Sequence, residues 1–543
     1  MIQKILLLSL ASVCVYAEIH FKDIESKPAG RAKNFMIWQY LKQNITSQEA
    51  DNAYALVEGN IWKIKKRYLK KSPNKKILRD SSCRGRKNLL SIEEDDCFNL
   101  AVNPFKTLNL DKKTRESILK RLKSKALINL IKIQAEPFRE EHYQAYDPNV
   151  ILNMYLRTTT NHRRKNLNIH YSKKFIQYVF SKDASVWKKF TLLKKIVNDD
   201  KLNKLQKSIL QLDGKNLGSD SNFLLALNQL RFGSSKKAIK HLEISKQKAQ
   251  TRMNADKSVF WSYLASEDEK YLQDLALSTD INIYSQFARE KLNIETKNYF
   301  SSVDVTHMKN TKDICNPFVW NEIKNEIKNT PKDQLITLAN KYNQKNMKPV
   351  QGFILEKAND FKKQSYLMPY NEYLSGISNE RKALVYALMR QESNLIPSAL
   401  SRSFALGLMQ IMPFVTDDLS KRMKNPITCY DDMFQPSYNI RYALKHLDWL
   451  DNTFYHPLFI AYAYNGGLGY FRKHLKANTF TKGKYEPYLS LELMSNKESR
   501  EYGKKVLSNY VVYKKILKED VSIIDLLNSL TDPKKTDRYR SSK

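Results

Sequence analysis

Glu392 stands in Arg390-Gln391-Glu392-Ser393, with Val385, Leu388 and Met389 seven, four and three positions before it. On a helix these positions share a face, so a carboxylic acid projects from an apolar stripe. Lost hydration there favours the neutral acid and raises its pKa, the property a proton donor needs. Ser393-Asn394 and Pro397 should end the helix and leave Glu392 in its last turn, where the dipole also disfavours negative charge. From Ser393 to Thr416 the sequence holds no Asp or Glu, so no second carboxylate follows closely behind the acid.

Three further blocks could surround it: Gly407-Leu408-Met409-Gln410-Ile411-Met412-Pro413, then Ala463-Tyr464-Asn465-Gly466-Gly467, then Glu498-Ser499-Arg500-Glu501-Tyr502. Seven of the fourteen glycines fall between Gly376 and Gly503, which marks a region of tight turns and close backbone approach. The elements that must position these residues read as helices. Leu, Lys, Ala, Asn and Ile dominate, and alternating β-branched runs are scarce, so the fold class is all-α.

Residues 18–300 read as successive short amphipathic helices, a superhelix or solenoid. In it Phe223 to Leu230 and Lys237 to Leu242 form an αα-hairpin about Arg231-Phe232-Gly233. No strict 34-residue period is present. The segment Asp280 to Leu292, with Tyr284, Ala288 and Leu292 four apart, is another such helix. Residues 301–365 are polar but helical in pattern and read as a small linker domain. Residues 366–525 carry the four blocks, and 526–543 form a polar tail whose last dozen residues, from Asp532, are expected to be disordered.

The first seventeen residues read as a signal peptide. Lys4 is the basic region, Ile5 to Leu10 the apolar core, and Val15-Tyr16-Ala17 the small-residue cleavage site. Cys14 follows Ala11-Ser12-Val13, a poor context for lipid attachment. No later stretch is apolar enough to span a bilayer. Export permits disulfides, and Cys83 and Cys97, close in sequence around a charged segment, are the expected pair, with Cys315 and Cys429 as separate thiols or, alternatively, a second bridge. No Cys-x-x-Cys, His-Glu-x-x-His or calcium-loop spacing occurs, so neither metal nor cofactor is implied. The formal net charge of +36 attracts polyanions, though lysine enrichment of the whole composition explains it equally well. An exported chain without a nucleic-acid motif makes nucleic acid a poor partner; the stem peptides of a bacterial wall carry carboxylates and suit it better.

The four blocks, in this order and spacing, resemble the catalytic domain of family 1 soluble lytic transglycosylases, which share the goose-type lysozyme fold. The long helical region and small linker are similar to the large members, whose helices close into a ring. Whether this chain closes one is open. The resemblance implies a periplasmic enzyme acting on peptidoglycan glycan strands, with wall synthesis or turnover proteins as partners of the helical region. It implies cleavage of the MurNAc-β-1,4-GlcNAc bond without water, to 1,6-anhydromuramyl ends. Glycoside cleavage normally needs two carboxylates; a lone Glu392, acid and then base, would rely on the substrate's N-acetyl group. Ser401 and Tyr464 are expected to orient the carboxyl, unless they are a turn serine and a core tyrosine. Met409, Gln410, Asn465 and Glu498 are expected on the substrate, against the plainer readings of Met409 as core and Glu498 as a helix N-terminal charge. Phe404 and Leu406 depart from the small residues usual before the second block and suggest a bulkier entrance. A hydrolytic muramidase and a cell-wall scaffold remain the alternatives.

Overall fold

The acid-bearing helix Asn379–Ser393 is capped by Ser378, whose side chain accepts from Arg381 N at 3.2 Å. It ends at Asn394 in the left-handed conformation (φ 51°), at the position the Ser-Asn pair predicts. Val385, Leu388 and Met389 are all fully buried, as the apolar stripe requires. The helix belongs to a computed structural model that describes residues 18–306, 310–477 and 479–541. The expected signal peptide, residues 1–17, lies outside them.

Helices dominate, and the named strands among the described residues are one two-residue parallel pair, Tyr299–Phe300 with Gln364–Ser365. The protein is all-α. No helix among the described residues is long and apolar enough to cross a membrane.

Two compact units are present. One contains Asn74–Thr296 and Phe480–Ser495. In it, Ser219–Phe232 packs on Ser235–Gln247, which packs in turn on Arg252–Ser266. This neighbour-on-neighbour stacking is that of a helical solenoid. The hairpin breaks at Gly233, where an added Cβ would meet Gln229 Oε1 at 2.1 Å. Tyr485 and Tyr488 pack within this unit, on Trp261 and Phe260 with ring centroids 6.0 and 5.0 Å apart, and are helix-packing residues. Cys83 and Cys97 form the expected disulfide, with Cα atoms 5.1 Å apart.

The other unit contains the residues up to Pro73, Lys297–Thr479 and Asn496–Lys543. The two units divide between Thr296 and Lys297. Residues 18–73 differ from expectation, since they join the four-block region rather than the solenoid. The cause is aromatic: Phe35 and Trp38, on helix Arg31–Tyr40, pack on Phe404 at 5.4 and 5.5 Å and on Tyr430 at 6.3 and 5.9 Å. The linker residues have their own core of Trp320, Ile323, Leu338 and Val350, which also receives Ile396. Arg390 ties this core to the acid helix. It pairs with Glu356 at 3.0 Å and donates to Ser365 O and Asn509 Oδ1 at 2.7 and 3.0 Å.

The expected disorder from Asp532 is corrected within the described residues. Asp537 is fully buried and pairs with Arg540 at 2.9 Å, while the Thr536 carbonyl accepts from Tyr455 N. Charge that looked like solvation in sequence is consumed in a buried pair.

Candidate active site

Three helices bring the site together: Asn379–Ser393, Pro457–Gly466 and Lys497–Ile516. The last two approach closely because Gly503 carries no side chain; a Cβ there would sit 2.2 Å from the Tyr462 ring. Asn509, on the third helix, donates to Ala387 O at 3.3 Å and accepts from Arg390, which fixes the acid helix against it.

Glu392 projects into this junction. Burial pushes its pKa up to about 8; a hydrogen bond from Tyr502 works against the shift, and the negative charge of Glu498 adds to it. The Tyr502 hydroxyl donates to Glu392 Oε1 at 2.7 Å. Burial, then the charge of Glu392, holds the Tyr502 phenol well above its ordinary value, so it stays a donor. The sequence reading gave Tyr502 no role. Its signal was available: Tyr502 follows Glu498 by four positions on one helix and so shares its face.

The expected site residues divide. Tyr464 is close enough to feel the charge of Glu392, which adds to burial in raising its pKa, but its hydroxyl donates to Met409 O at 2.7 Å. Ser401 is a turn serine, its Oγ accepting from Ser403 N at 3.2 Å and Ala405 N at 2.9 Å. Met409 is fully buried, so its thioether packs in the core. Gln410 has positive φ (48°) and donates to Ala399 O and Gly407 O at 2.9 and 2.8 Å, stitching the second block into a loop. Asn465 accepts from Ser499 Oγ at 2.8 Å, which joins the third and fourth blocks. Glu498 is exposed in the first turn of its helix, and its backbone N–H is capped by Asn496 at 2.9 Å.

Asn439, also missed, organises the second block from beneath. It accepts from Met409 N at 2.8 Å and donates to Leu406 O and Met433 O at 2.9 and 2.8 Å. Gly407 (φ 72°) sits against it, where a Cβ would lie 2.2 Å from Met433 O. Phe404, expected to crowd the entrance, is 1 % exposed and instead anchors Phe35 and Trp38. Leu406 is likewise fully buried. No group of three or more His, Cys, Asp or Glu side chains among the described residues could hold a metal ion. The arrangement presents one carboxylic acid, neutral near neutrality and held by a tyrosine, with a loop and two helices fixed around it.

Residues 370–486 match the family described as the Transglycosylase SLT domain. The matched stretch holds the first three of the four sequence blocks. The match encloses Glu392, Ser401, Met409, Gln410, Tyr464 and Asn465, while Glu498 and Tyr502 lie beyond it. A putative soluble lytic murein transglycosylase from Haemophilus influenzae is 32 % identical over 122 residues, 22 % of this chain and 21 % of that protein, so the matched stretch spans about a fifth of the relative's length. Among solved structures, an inactive mutant of lytic transglycosylase Slt from Pseudomonas aeruginosa aligns at TM-score 0.46 and 14 % identity, covering 93 % of this chain and 88 % of the other. The 70 kDa soluble lytic transglycosylase of Escherichia coli aligns at 0.41 and 14 %, covering 95 % and 92 %.

Proposed function

We propose that this protein is a periplasmic lytic transglycosylase that cleaves the MurNAc-β-1,4-GlcNAc bond of peptidoglycan without hydrolysis. The observation that carries the reading is Glu392, a carboxylic acid whose pKa is raised to about 8 inside a Transglycosylase SLT domain. At neutral pH it is mostly protonated and can give its proton to the glycosidic oxygen as the bond breaks. The oxocarbenium-like centre left at C1 needs a partner. No carboxylate follows Glu392 until Asp417. The substrate's own N-acetyl group fills that role.

Glu392, now a carboxylate, takes the proton of the muramic C6 hydroxyl, whose oxygen closes onto C1. The product is a 1,6-anhydromuramyl end, and the acid is regenerated protonated. Tyr502 steadies the carboxylate through both halves, while Gln410 and Asn465 offer amide groups to the sugars. The described part of the chain would divide into a solenoid, a linker and this catalytic domain, with the solenoid open to wall synthesis or turnover proteins.

Mass spectrometry of the products from purified sacculi tests the reading. Anhydro ends, lighter by one water than reducing ends, are expected to predominate. Reducing ends would point to a muramidase, and no product from folded protein would leave a scaffold. E392Q is expected to abolish turnover while keeping the fold.

A further inference from the structure

Helix Trp62–Lys71 carries Lys63, Lys66, Arg67 and Lys70, the i, i+3, i+4 and i+7 positions of one face. Ile64, which points away from them, is fully buried and fixes which side the cations show. Facing them are Ser403, Phe404 and the stretch from Met412 to Phe414, the two ends of the loop that carries Met409 and Gln410. With Lys42 these residues line a cleft of ≈ 410 Å³ that opens to solvent, all within one compact unit.

Five cations line this cleft against one carboxylate, Asp417, which accepts from Tyr430 Oη at 2.8 and 2.9 Å. Three of the cations are held in place. Lys63 Nζ donates to Ser403 O at 2.7 Å, Arg67 lies over the Trp38 ring at 3.5 Å, and Lys42 sits 5.7 Å from the Tyr430 centroid. Lys66 and Lys70 are exposed and have no protein partner among the described residues. Like charges four apart destabilise a helix, a cost that an anionic ligand would offset. Phe414, 68 % exposed, adds an apolar wall.

We propose that this cleft receives the carboxylates of peptide stems on the strand being cleaved. The inference rests on the peptidoglycan reading above. The amino sugars of the strand are uncharged along the glycosidic axis, so cations beside the groove loop find their counter-charge on the stems. The two unengaged cations are lysines, compact point charges suited to dispersed carboxylates; the arginine fork, which favours phosphate, is engaged on Trp38. Phe414 meets the alkyl parts of the stem.

The test measures binding rather than turnover, in protein carrying E392Q. Affinity is compared for soluble glycan strands with intact stems and for the same strands stripped of stems by an amidase, the lactyl carboxyls that this exposes being capped as methyl amides. A preference for stem-bearing strands is expected, and K66A/K70A should reduce it about three- to tenfold, as two exposed charge pairs imply. K66R/K70R should retain it, and about 0.5 M salt should erase most of it. Absence of any preference, or an equal preference with and without K66A/K70A, overturns the proposal. Failure of the activity reading is seen separately, as missing anhydro products from the parent protein on both kinds of strand.

Discussion

Tyr502 donates to Glu392 Oε1 at 2.7 Å from 110 positions further along the chain. The bond lowers the pKa of an acid that burial raises, so Tyr502 tunes Glu392 as well as aiming it. Y502F should therefore move the Glu392 pKa above about 8 and shift the alkaline limb of the pH–rate profile upward. Loss of a hydrogen bond to a charged group should also reduce turnover roughly 10- to 100-fold. An unshifted limb in Y502F would remove Tyr502 from this role.

The same shift makes stability depend on pH. Glu392 has a folded pKa of about 8 against an ordinary 4.5, so between these values the folded state keeps a proton that the unfolded chain has lost. Its contribution is fully present below about 4.5 and is lost as pH rises through about 8. E392Q keeps a neutral side chain at every pH. Its stability should match the parent's near pH 4 and exceed it near pH 9 by on the order of 5 kcal/mol, seen as a higher melting temperature. Identical melting curves at both pH values would contradict the raised pKa.

Asn439 holds the second block through three hydrogen bonds to the buried backbone. N439A should cost about 2–4 kcal/mol because it takes this partner from the buried Met409 N–H and Met433 carbonyl, while Leu406 O keeps the Ile411 N–H at 3.1 Å. G407A should be at least as damaging, since its Cβ would meet the Met433 carbonyl and φ is positive. Denaturant melts of both variants check this; a full-stability N439A would show that the loop holds itself.

The Cys83–Cys97 bond closes a short loop, with a sequence separation of 14. C83S/C97S should lower the stability of its unit by about 3 kcal/mol, the loop-closure value for that length. Limited proteolysis should then cut first between residues 74 and 135, and a reductant added to the parent should reproduce the pattern. Unchanged protease resistance in both cases would mean that packing alone holds this region.

Much of the site was legible because it is local. The apolar stripe at Val385, Leu388 and Met389, the Ser-Asn stop and the empty stretch to Thr416 are rules of one helix and its exit. Met409 and Ser401 were harder, since motif position cannot separate a side chain that touches sugar from one that packs or ties a turn. Tyr502 was hidden for another reason: its partner is remote in sequence, and only helix packing against Gly503 brings the two together. Phe404 was misjudged because the residues that cover it, Phe35 and Trp38, lie near the other end of the chain.

That last contact sets an order of events. The middle unit is built largely from neighbours in sequence and can form its helical stack as soon as those residues exist. Phe35 and Trp38 cannot be covered until Phe404 and Tyr430 have been synthesised. The first helices must therefore wait, aromatic faces open, through most of the chain's emergence. A chain trimmed to residues 366–525 would meet the same difficulty in reverse, with Phe404 bare and an oily surface ready for aggregation. The smallest piece of this chain that keeps Phe404 covered includes helix Arg31–Tyr40.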